Sequence, residues 1–251
     1  MTVQYFINRR NQKLAYDFIP GRRPTIVFLG GYKSEMTGTK GNWLANYCQC
    51  LGHSYFRFDY SGHGQSDGEF ADGTIGEWSE DAFEIISQLT DGPLILVGSS
   101  MGGWIMLLTA LRLSSRLAAL VGIAPAPDFT RDLMWPGFSQ EQQNTLQEKG
   151  VIFLQSDYDD ETYPVRYSFI EDGNQHCLLD KKIDISCPVR LLHGMKDDQV
   201  PWQTSLSIEQ KLISNDVQVI LFKSGDHRLS ESMYLNSLTN QIDLLLQSGS
   251  S

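Results

Sequence analysis

The fold of this chain is decided by residues 96–103, which read Leu-Val-Gly-Ser-Ser-Met-Gly-Gly. This stretch ends a β-rich run, Leu94–Val97, and opens onto Ser100–Leu113, whose apolar composition predicts a helix. A strand, a sharp turn of the form Gly-x-Ser-x-Gly and a helix make up a nucleophile elbow, which exposes the serine at the end of the strand. Glycines suit such a turn because neighbours without a Cβ relieve the crowding around a strained backbone. The stretch therefore predicts that Ser100 is a nucleophile, at a helix N-terminus that would favour a developing oxyanion.

The composition is that of a globular domain with a sizeable core. The chain has 251 residues, of which 41% are hydrophobic and 11% aromatic. This length suits one large domain with an inserted segment better than two independent domains. The formal net charge of −10 argues against binding to nucleic acid and against electrostatic docking on anionic lipid. No stretch approaches the roughly 18 consecutive apolar residues of a membrane span.

The N-terminal residues and the cysteines bear on the compartment. Residues 1–19 contain neither the apolar region of a signal peptide nor the composition of a transit peptide. We therefore expect a soluble intracellular protein, unless a targeting segment has been removed. No Cys-x-x-Cys pair and no histidine cluster at zinc-site spacing is present, so we expect reduced thiols and no metal. The four cysteines are Cys48, Cys50, Cys177 and Cys187.

The regular alternation of predicted strands and helices indicates the fold class. Val3–Ile7 and Leu14–Ile19 are predicted to form an N-terminal hairpin. Further strands are predicted at Thr25–Leu29, Ser54–Phe58, Leu94–Val97, Leu117–Ile123, Val189–Leu192 and Val217–Phe222. Helices are predicted at Gly41–Leu51, Ile75–Thr90, Ser100–Leu113, Ser205–Ile213 and Glu231–Leu246. This order predicts an α/β fold with a mainly parallel central sheet and helices on both faces.

The alternation is interrupted between residues 124 and 186. This segment has an aromatic-rich sequence that we interpret as mostly helix and loop, with one polar helix at Ser139–Lys149. We predict that it is a small helical cap, inserted after the sixth strand into a core of residues 1–123 and 187–251, over the edge where open sheets bind ligands. Four of its aromatic residues are predicted to wall a substrate pocket above Ser100: Trp135, Phe138, Phe153 and Tyr167.

A serine nucleophile needs a histidine base, which is oriented by a carboxylate. In this arrangement the residues follow along the chain in the order serine, acid, histidine. His193 and His227 both come after the elbow, at the ends of predicted strands. His193 precedes the acidic pair that the order requires, so we assign the base to His227. His63 precedes the nucleophile and is interpreted as a structural histidine in a turn.

The acid is sought in the turn after the strand Val189–Leu192. Two adjacent aspartates, Asp197 and Asp198, stand there, before the helix that begins near Pro201. One should face the imidazole and the other should cap the turn or the helix. We choose Asp197, with Asp198 as the alternative.

The oxyanion of an acyl-transfer intermediate needs two backbone N–H donors. One is predicted to come from Met101, the residue after the nucleophile, and the other from the loop after the third strand. This loop contains Gly30-Gly31-Tyr32, whose paired glycines allow a ligand to approach the backbone closely. We assign the second donor to Tyr32, with Gly31 as the alternative donor and as a substrate-binding residue. The mechanism needs no metal or organic cofactor.

Together these motifs resemble those of the α/β-hydrolase superfamily. The resemblance rests on Gly30-Gly-Tyr32, Asp59–Ser66, the elbow, His193-Gly-x-x-Asp197-x-x-Val-Pro201 and Gly225-Asp-His227. Longer phrases resemble one branch, the mitochondrial palmitoyl-protein thioesterases that also act on mycophenolic acid acyl-glucuronide. These phrases are Met36–Lys40, Arg57–Gly62, Gly92–Ser100, Arg166–Ile170, His176–Leu179, and Leu191–Asp198 followed by Val200-Pro-Trp202.

The resemblance implies an α/β-hydrolase fold with a small cap and a Ser100–Asp197–His227 triad. It also implies hydrolysis of acyl thioesters or carboxylic esters, on a small molecule or an S-acylated protein, through an acyl-enzyme on Ser100. Two other functions remain open from the sequence. One is a carboxylesterase for small esters with no protein substrate, and the other is a hydrolase fold that only binds a ligand.

Overall fold

A computed structural model describes residues 3–155 and 162–248 of the chain. The strands in these ranges are β1 (Gln4–Ile7), β2 (Lys13–Ile19), β3 (Arg22–Leu29), β4 (His53–Phe58), β5 (Leu94–Ser99), β6 (Leu117–Ile123), β7 (Val151–Gln155), β8 (Thr162–Arg166), β9 (Val189–Gly194) and β10 (Val217–Phe222). The helices are α1 (Thr39–Leu51), α2 (Ile75–Leu89), α3 (Met101–Arg112), the single turn α4 (Trp135–Gly137), α5 (Gln140–Lys149), α6 (Tyr167–Gln175), α7 (Gln203–Lys211) and α8 (Ser232–Ser248). None of these helices has the length and apolar character that a membrane span requires.

Eight of the strands form one sheet in the order β1-β2-β4-β3-β5-β6-β9-β10. All neighbours from β4 to β10 in this order are parallel, whereas β2 runs antiparallel to both β1 and β4. The predicted α/β class with a mainly parallel sheet and an N-terminal hairpin is therefore confirmed. Because the carboxyl ends of parallel strands meet at one edge, the loops after β3, β5, β9 and β10 converge there.

The central strands are buried on both faces, which explains their continuous apolar sequences. In β3, Val27 and Leu29 belong to the apolar cluster that includes residues of α2 and α3. Ile26 and Phe28 alternate with them and belong to a second cluster, which includes residues of α1 and α8. The period of two along a strand thus divides the core into two layers, with helices on both sides of the sheet as predicted.

The predicted boundaries differ from the observed ones by a few residues at most. The largest difference is at β3, which begins at Arg22, three residues before the predicted start, and α7 is shifted by two residues at both ends, to Gln203–Lys211. The backbone explains the end of α7, since the carbonyl of Lys211 accepts from the N–H of Ile183 and the next residue, Leu212, forms a β-bridge with Ile183. Helix α7 therefore ends where its backbone begins to pair with the segment around Ile183.

The segment 124–186 contains a strand pair that the sequence interpretation missed. Its polar helix α5 is where it was predicted, begun by a capping box between Ser139 and Gln142. The segment also contains a π-helical turn, Thr130–Met134, but β7 and β8 correct the expectation of mostly helix and loop. Within residues 3–155 and 162–248, the two strands pair only with each other. Pro164 weakens the strand pattern of β8, whereas Val151–Leu154 in β7 is an apolar run typical of a strand that the interpretation of this segment overlooked.

Candidate active site

The elbow holds Ser100 in a strained conformation, with φ 55° and ψ −121°. Close contacts explain the two glycines that flank it. A Cβ on Gly98 would lie 2.4 Å from the carbonyl oxygen of Gly102, and a Cβ on Gly102 would lie 2.2 Å from that of Leu29. A side chain at residue 98 would push β5 away from α3, and one at residue 102 would push α3 away from β3. The motif is therefore a steric requirement of the turn.

Backbone hydrogen bonds on both sides maintain the strained conformation of Ser100. Its N–H donates to the carbonyl of Ile123 at 2.9 Å, which ties the elbow to the end of β6. Its carbonyl accepts from the N–H groups of Gly103 at 2.8 Å and Ala126 at 3.0 Å. Neighbouring structure of this kind is what allows a sparsely populated φ/ψ pair to persist at a functional site. The Ser100 side chain thus has a fixed position at the edge of the sheet.

His227 connects the serine to an aspartate. Its Nε2 lies 3.0 Å from Oγ of Ser100, and its Nδ1 lies 2.7 Å from Oδ2 of Asp197. The imidazole comes from the loop after β10 and the carboxylate from the loop after β9. Because a carboxylate accepts from Nδ1–H, Nε2 is left to accept the serine proton. The three side chains form one continuous chain of hydrogen bonds.

The two loops that carry Asp197 and His227 are joined through their backbones. The N–H of Met195 donates to the carbonyl of Phe222 at 2.8 Å, and the N–H of Lys196 donates to that of Gly225 at 2.9 Å. A Cβ on Gly194 would lie 2.3 Å from the carbonyl oxygen of Gly225. This approach is possible only without a side chain at residue 194. The acid and the base are therefore held as one unit.

The side chain of Asp197 is fully buried, and both of its oxygens accept two hydrogen bonds. Oδ1 accepts from the N–H groups of Gln199 and Val200, and Oδ2 accepts from His227 and from His193. Burial alone would raise the pKa of Asp197, but the hydrogen bonds from the two histidines and from Val200 hold it well below its usual range. The group is a carboxylate at any ordinary pH.

The adjacent Asp198, the alternative acid, has an exposed position in the same turn.

The predicted oxyanion donors are both close to the nucleophile. A Cβ on Gly31 would lie 3.4 Å from Cβ of Ser100, which places the loop after β3 against the elbow. Within the described part of the chain, the backbone N–H groups of Tyr32 and Met101 donate no hydrogen bond. Two open N–H groups beside a serine are what an oxyanion hole needs.

Two cavities meet at Ser100. The first, the polar cavity, has a volume of about 560 Å³ and lies between residues 31–41 and the His227 loop; its lining includes Lys33, Lys40 and Arg228. The second, the apolar cavity, has a volume of about 420 Å³, and its lining includes Phe129, Leu133, Met134, Phe138 and Leu154. Five residues border both cavities: Tyr32, Ser100, Tyr163, Gln199 and His227.

The structure brings only part of the predicted substrate-binding set to these cavities. Gly31 lines the polar cavity and Phe138 the apolar one. Trp135 and Tyr167 line neither; their rings pack against each other at 5.9 Å between centroids. Phe153 is 65% exposed, because the alternation along β7 turns Leu154 inward in its place. The strand that the sequence interpretation missed therefore decides which of two adjacent residues reaches the site.

Several lining residues were not expected from the sequence. Tyr163 belongs to the unforeseen strand β8, and its ring lies 4.5 Å from Nζ of Lys33. Lys40 lies in the first turn of α1, and its Nζ donates to the carbonyl of Arg228 at 2.5 Å. Burial lowers the pKa of Lys40 to about 8, against the attraction of Asp226. Lys40 ends one of the phrases that carry the family resemblance, but its contact with Arg228, 188 residues away along the chain, has no signal in the sequence.

The other residues singled out from the sequence lie outside the site. His63 is buried in the turn after β4 among aromatic rings, including Phe70 and Trp78, and burial lowers its pKa to about 4. It lines neither cavity, in keeping with a structural histidine. Cys48 is buried in α1, and burial raises the pKa of its thiol to about 12. Residues 3–155 and 162–248 contain no cluster of histidine, cysteine and acidic side chains that could hold a metal ion.

Comparison with known proteins shows which family this chain belongs to. Residues 24–168 match the family model described as the alpha/beta hydrolase fold. The chain belongs to the alpha/beta hydrolase family. Human mitochondrial palmitoyl-protein thioesterase ABHD10 is 45% identical to this hydrolase over 243 residues, which are 96% of this chain and 79% of the human protein.

Solved structures of relatives have the same fold. Mouse alpha/beta hydrolase domain-containing protein 10 superposes with a TM-score of 0.91 at 42% identity, covering 99% of each chain. A hydrolase from Agrobacterium vitis S4 also reaches a TM-score of 0.91, at 37% identity and covering 98% of this chain and 99% of its own. The fold class predicted from the sequence is that of both relatives.

Proposed function

We propose that this alpha/beta hydrolase is a serine esterase and thioesterase that cleaves long-chain acyl thioesters or carboxylic esters. The observation that carries the proposal is the hydrogen-bond chain from Asp197 through His227 to Ser100. The similarity to proteins named palmitoyl-protein thioesterase supports an S-acylated substrate. Turnover confined to small esters would favour the alternative, a carboxylesterase with no protein substrate.

The proposed reaction follows from the positions of these groups. Nε2 of His227 takes the hydroxyl proton as Oγ of Ser100 bonds to the carbonyl carbon, and Asp197 stabilises the imidazolium that forms. The oxyanion is bound by the N–H groups of Tyr32 and Met101. The bond to the leaving thiolate or alkoxide breaks as His227 returns the proton to it. Water then attacks the acyl-enzyme by the same route, releasing the carboxylic acid and restoring Ser100.

The two cavities give each half of the substrate a place. The apolar cavity suits the acyl chain, since aliphatic and aromatic side chains wall it. The segment 124–186 supplies several of these walls, including Met134, Phe138 and Leu154, which supports its role as a cap on the core of residues 1–123 and 187–251. The polar cavity is left for the leaving group.

We expect kcat/KM to rise with acyl length and this rise to depend on Leu154. Each additional buried methylene is worth about 0.8 kcal/mol, so kcat/KM should rise by up to about fourfold per methylene until the apolar cavity is full. The measurement is an acyl series, from acetyl upward, of p-nitrophenyl esters and acyl-CoA thioesters. Leu154→Ala should flatten the rise, while Phe153→Ala should leave it unchanged.

These two variants are matched, because residues 153 and 154 are adjacent in β7 and face opposite ways. Equal effects of the two changes would mean that the cap acts only through its folding. A steady fall in kcat/KM beyond acetyl would show instead that the cap closes the site. The small-ester carboxylesterase would then replace the proposed thioesterase.

The cationic side chains of the polar cavity favour a second candidate substrate, an acyl ester with an anionic leaving group, as in an acyl-glucuronide. Lys33, Lys40 and Arg228 border this cavity together with one carboxylate, Glu35, so cations outnumber anions in its lining although the net charge of the chain is −10. Lys40 is the least exposed of the three, and a charge that is partly removed from water acts more strongly on a ligand. Its attraction for an anion should be measurable.

Lys40→Gln should lower kcat/KM about tenfold for an aryl ester whose ring carries a carboxylate, since hydrogen bonds to charged groups are worth about 1.5 kcal/mol or more. The neutral p-nitrophenyl ester with the same acyl chain should change by less than about twofold. In the wild type, preference for the anionic ester should fall as the pH rises through about 8, where Lys40 loses its proton. Lys40→Arg should keep the preference at higher pH, because a guanidinium stays protonated there.

The neutral ester is the control for damage to the tether between Lys40 and Arg228, which would affect both esters alike. An unchanged ratio of kcat/KM for the two esters in Lys40→Gln would rule out the anionic leaving group.

The cellular location is also a prediction: the bacterial cytoplasm or the mitochondrial matrix. Relatives come from mammals and from a bacterium.

A further inference from the structure

His193 is a buried histidine at the active site that the proposed reaction does not use. It lies near the end of β9, and its side chain has no exposed surface. Its Nε2 lies 3.1 Å from Oδ2 of Asp197 and 3.0 Å from the carbonyl oxygen of Val200. Its Nδ1 lies 2.7 Å from Oγ of Ser205, in the first turn of α7. Every polar atom of the ring therefore has a partner.

These partners determine where the ring carries a proton. Nε2 faces two acceptors, a carboxylate and a carbonyl, so it must be the protonated nitrogen and donate to both. Nδ1 faces only a hydroxyl, and the Ser205 hydroxyl can donate to it. His193 is a fixed N–H donor aimed at the acid of the triad.

Oδ2 of Asp197 consequently receives two imidazole N–H groups, one from each side. His227 approaches at 2.7 Å from the loop after β10, and His193 at 3.1 Å from β9. His193 also holds the turn behind the carboxylate, since Val200 accepts from its Nε2 while donating its own N–H to Oδ1. A carboxylate held in this way has one orientation open to it.

We propose that His193 is a positioning residue, which sets both the orientation and the basicity of Asp197 toward His227. The proposal rests on the catalytic roles of Ser100, His227 and Asp197 given above. Removing the second donor leaves more negative charge on Oδ2, so a protonated His227 becomes easier to form. The acid limb of the pH profile of kcat/KM then moves to higher pH.

The titratable groups around Asp197 determine how its basicity can change. His193 from β9 and His227 from the loop after β10 are the titratable groups whose contacts lower its pKa. From α7 the nearest contribution to this network is the uncharged Ser205, which bonds to His193 and not to the carboxylate. Lys196 and Asp198, its neighbours along the chain, are both exposed. A change at residue 193 therefore alters the donor set of Asp197 directly.

Two amide substitutions test the proposal as a matched pair. In His193→Gln the side-chain amide reaches the position of Nε2 and keeps a donor for Asp197. In His193→Asn the amide reaches only the position of Nδ1, so it keeps the contact with Ser205 and loses the one with Asp197. We expect His193→Asn to lower kcat by about ten- to a hundredfold, by analogy with the loss of a hydrogen-bond partner that orients a metal-binding histidine or carboxylate, with KM within about twofold. Its acid limb should move to higher pH, whereas His193→Gln should keep the wild-type limb and most of kcat.

The opposite ranking would overturn the proposal. If His193 only anchors α7 to β9, the Asn variant should resemble the wild type and the Gln variant should be the damaged one. Ser205→Ala should then match the Gln variant, whereas the positioning role predicts a loss of less than about fourfold. Wild-type activity and pH profile in both amide variants would also overturn it. A wild-type protein without esterase or thioesterase turnover would instead refute the proposed function, which separates the two failures.

Discussion

Ser100→Ala should lower kcat by a factor on the order of 10⁶ while leaving the protein folded. The loss should be this large because the serine, histidine and aspartate act as a unit, and alanine removes the atom that bonds to the acyl carbon. The fold should survive, since the backbone of Ser100 and not its side chain bonds to Ile123, Gly103 and Ala126. Turnover of the best acyl ester is the measurement, with circular dichroism as the check on folding.

Covalent labelling gives a second reading of the same variant. A fluorophosphonate probe should label the wild type and leave Ser100→Ala unlabelled, which separates an enzyme from a fold that only binds a ligand. A folded variant that retains more than a tenth of the wild-type turnover would exclude Ser100 as the nucleophile.

Asp197→Asn should cost about 10⁴ in turnover, whereas Asp198→Asn should cost less than about tenfold. An amide at residue 197 can present its NH₂ group to Nδ1 of His227, which favours the tautomer whose Nε2 is protonated and cannot accept from Ser100. Asp198 is exposed, so its removal affects at most a turn contact worth about 1 kcal/mol. The two variants are adjacent and carry the same change of charge, so each is the control for the other. The reverse order of damage would make Asp198 the acid.

The sheet could be predicted from the sequence because its strands are short apolar runs whose length and composition favour a strand over a helix. Val217–Phe222 and Leu117–Ile123 were predicted with the boundaries that the structure shows. The strand pair β7–β8 was missed although Val151–Leu154 is also such a run, because its partner β8 contains Pro164 and has only a weak strand pattern. Aromatic composition alone then placed Phe153 in the site, although its face of the strand points to solvent.

The candidate site likewise contains residues that could be predicted from the sequence and contacts that could not. Ser100, Asp197 and His227 follow from local motifs and from the order of loops at one edge of a parallel sheet, which are features of sequence. The contact of Lys40 with Arg228 and the second imidazole on Asp197 arise from packing between separate elements. Chain order assigned the base to His227 and not to His193, but only the position of His193 against the carboxylate shows what it touches.

The hairpin β7–β8 bears on how enzymes of this kind can diverge. Its strands pair only with each other, yet Leu154 borders the apolar cavity and Tyr163 borders both cavities. The two strands contribute none of Ser100, Asp197 and His227 and lie outside the eight-stranded sheet. Changes in a few residues of this strand pair can therefore alter selectivity for the acyl group and for the leaving group together, while the catalytic mechanism stays the same. A library confined to this ribbon would be a compact route to new substrate preferences.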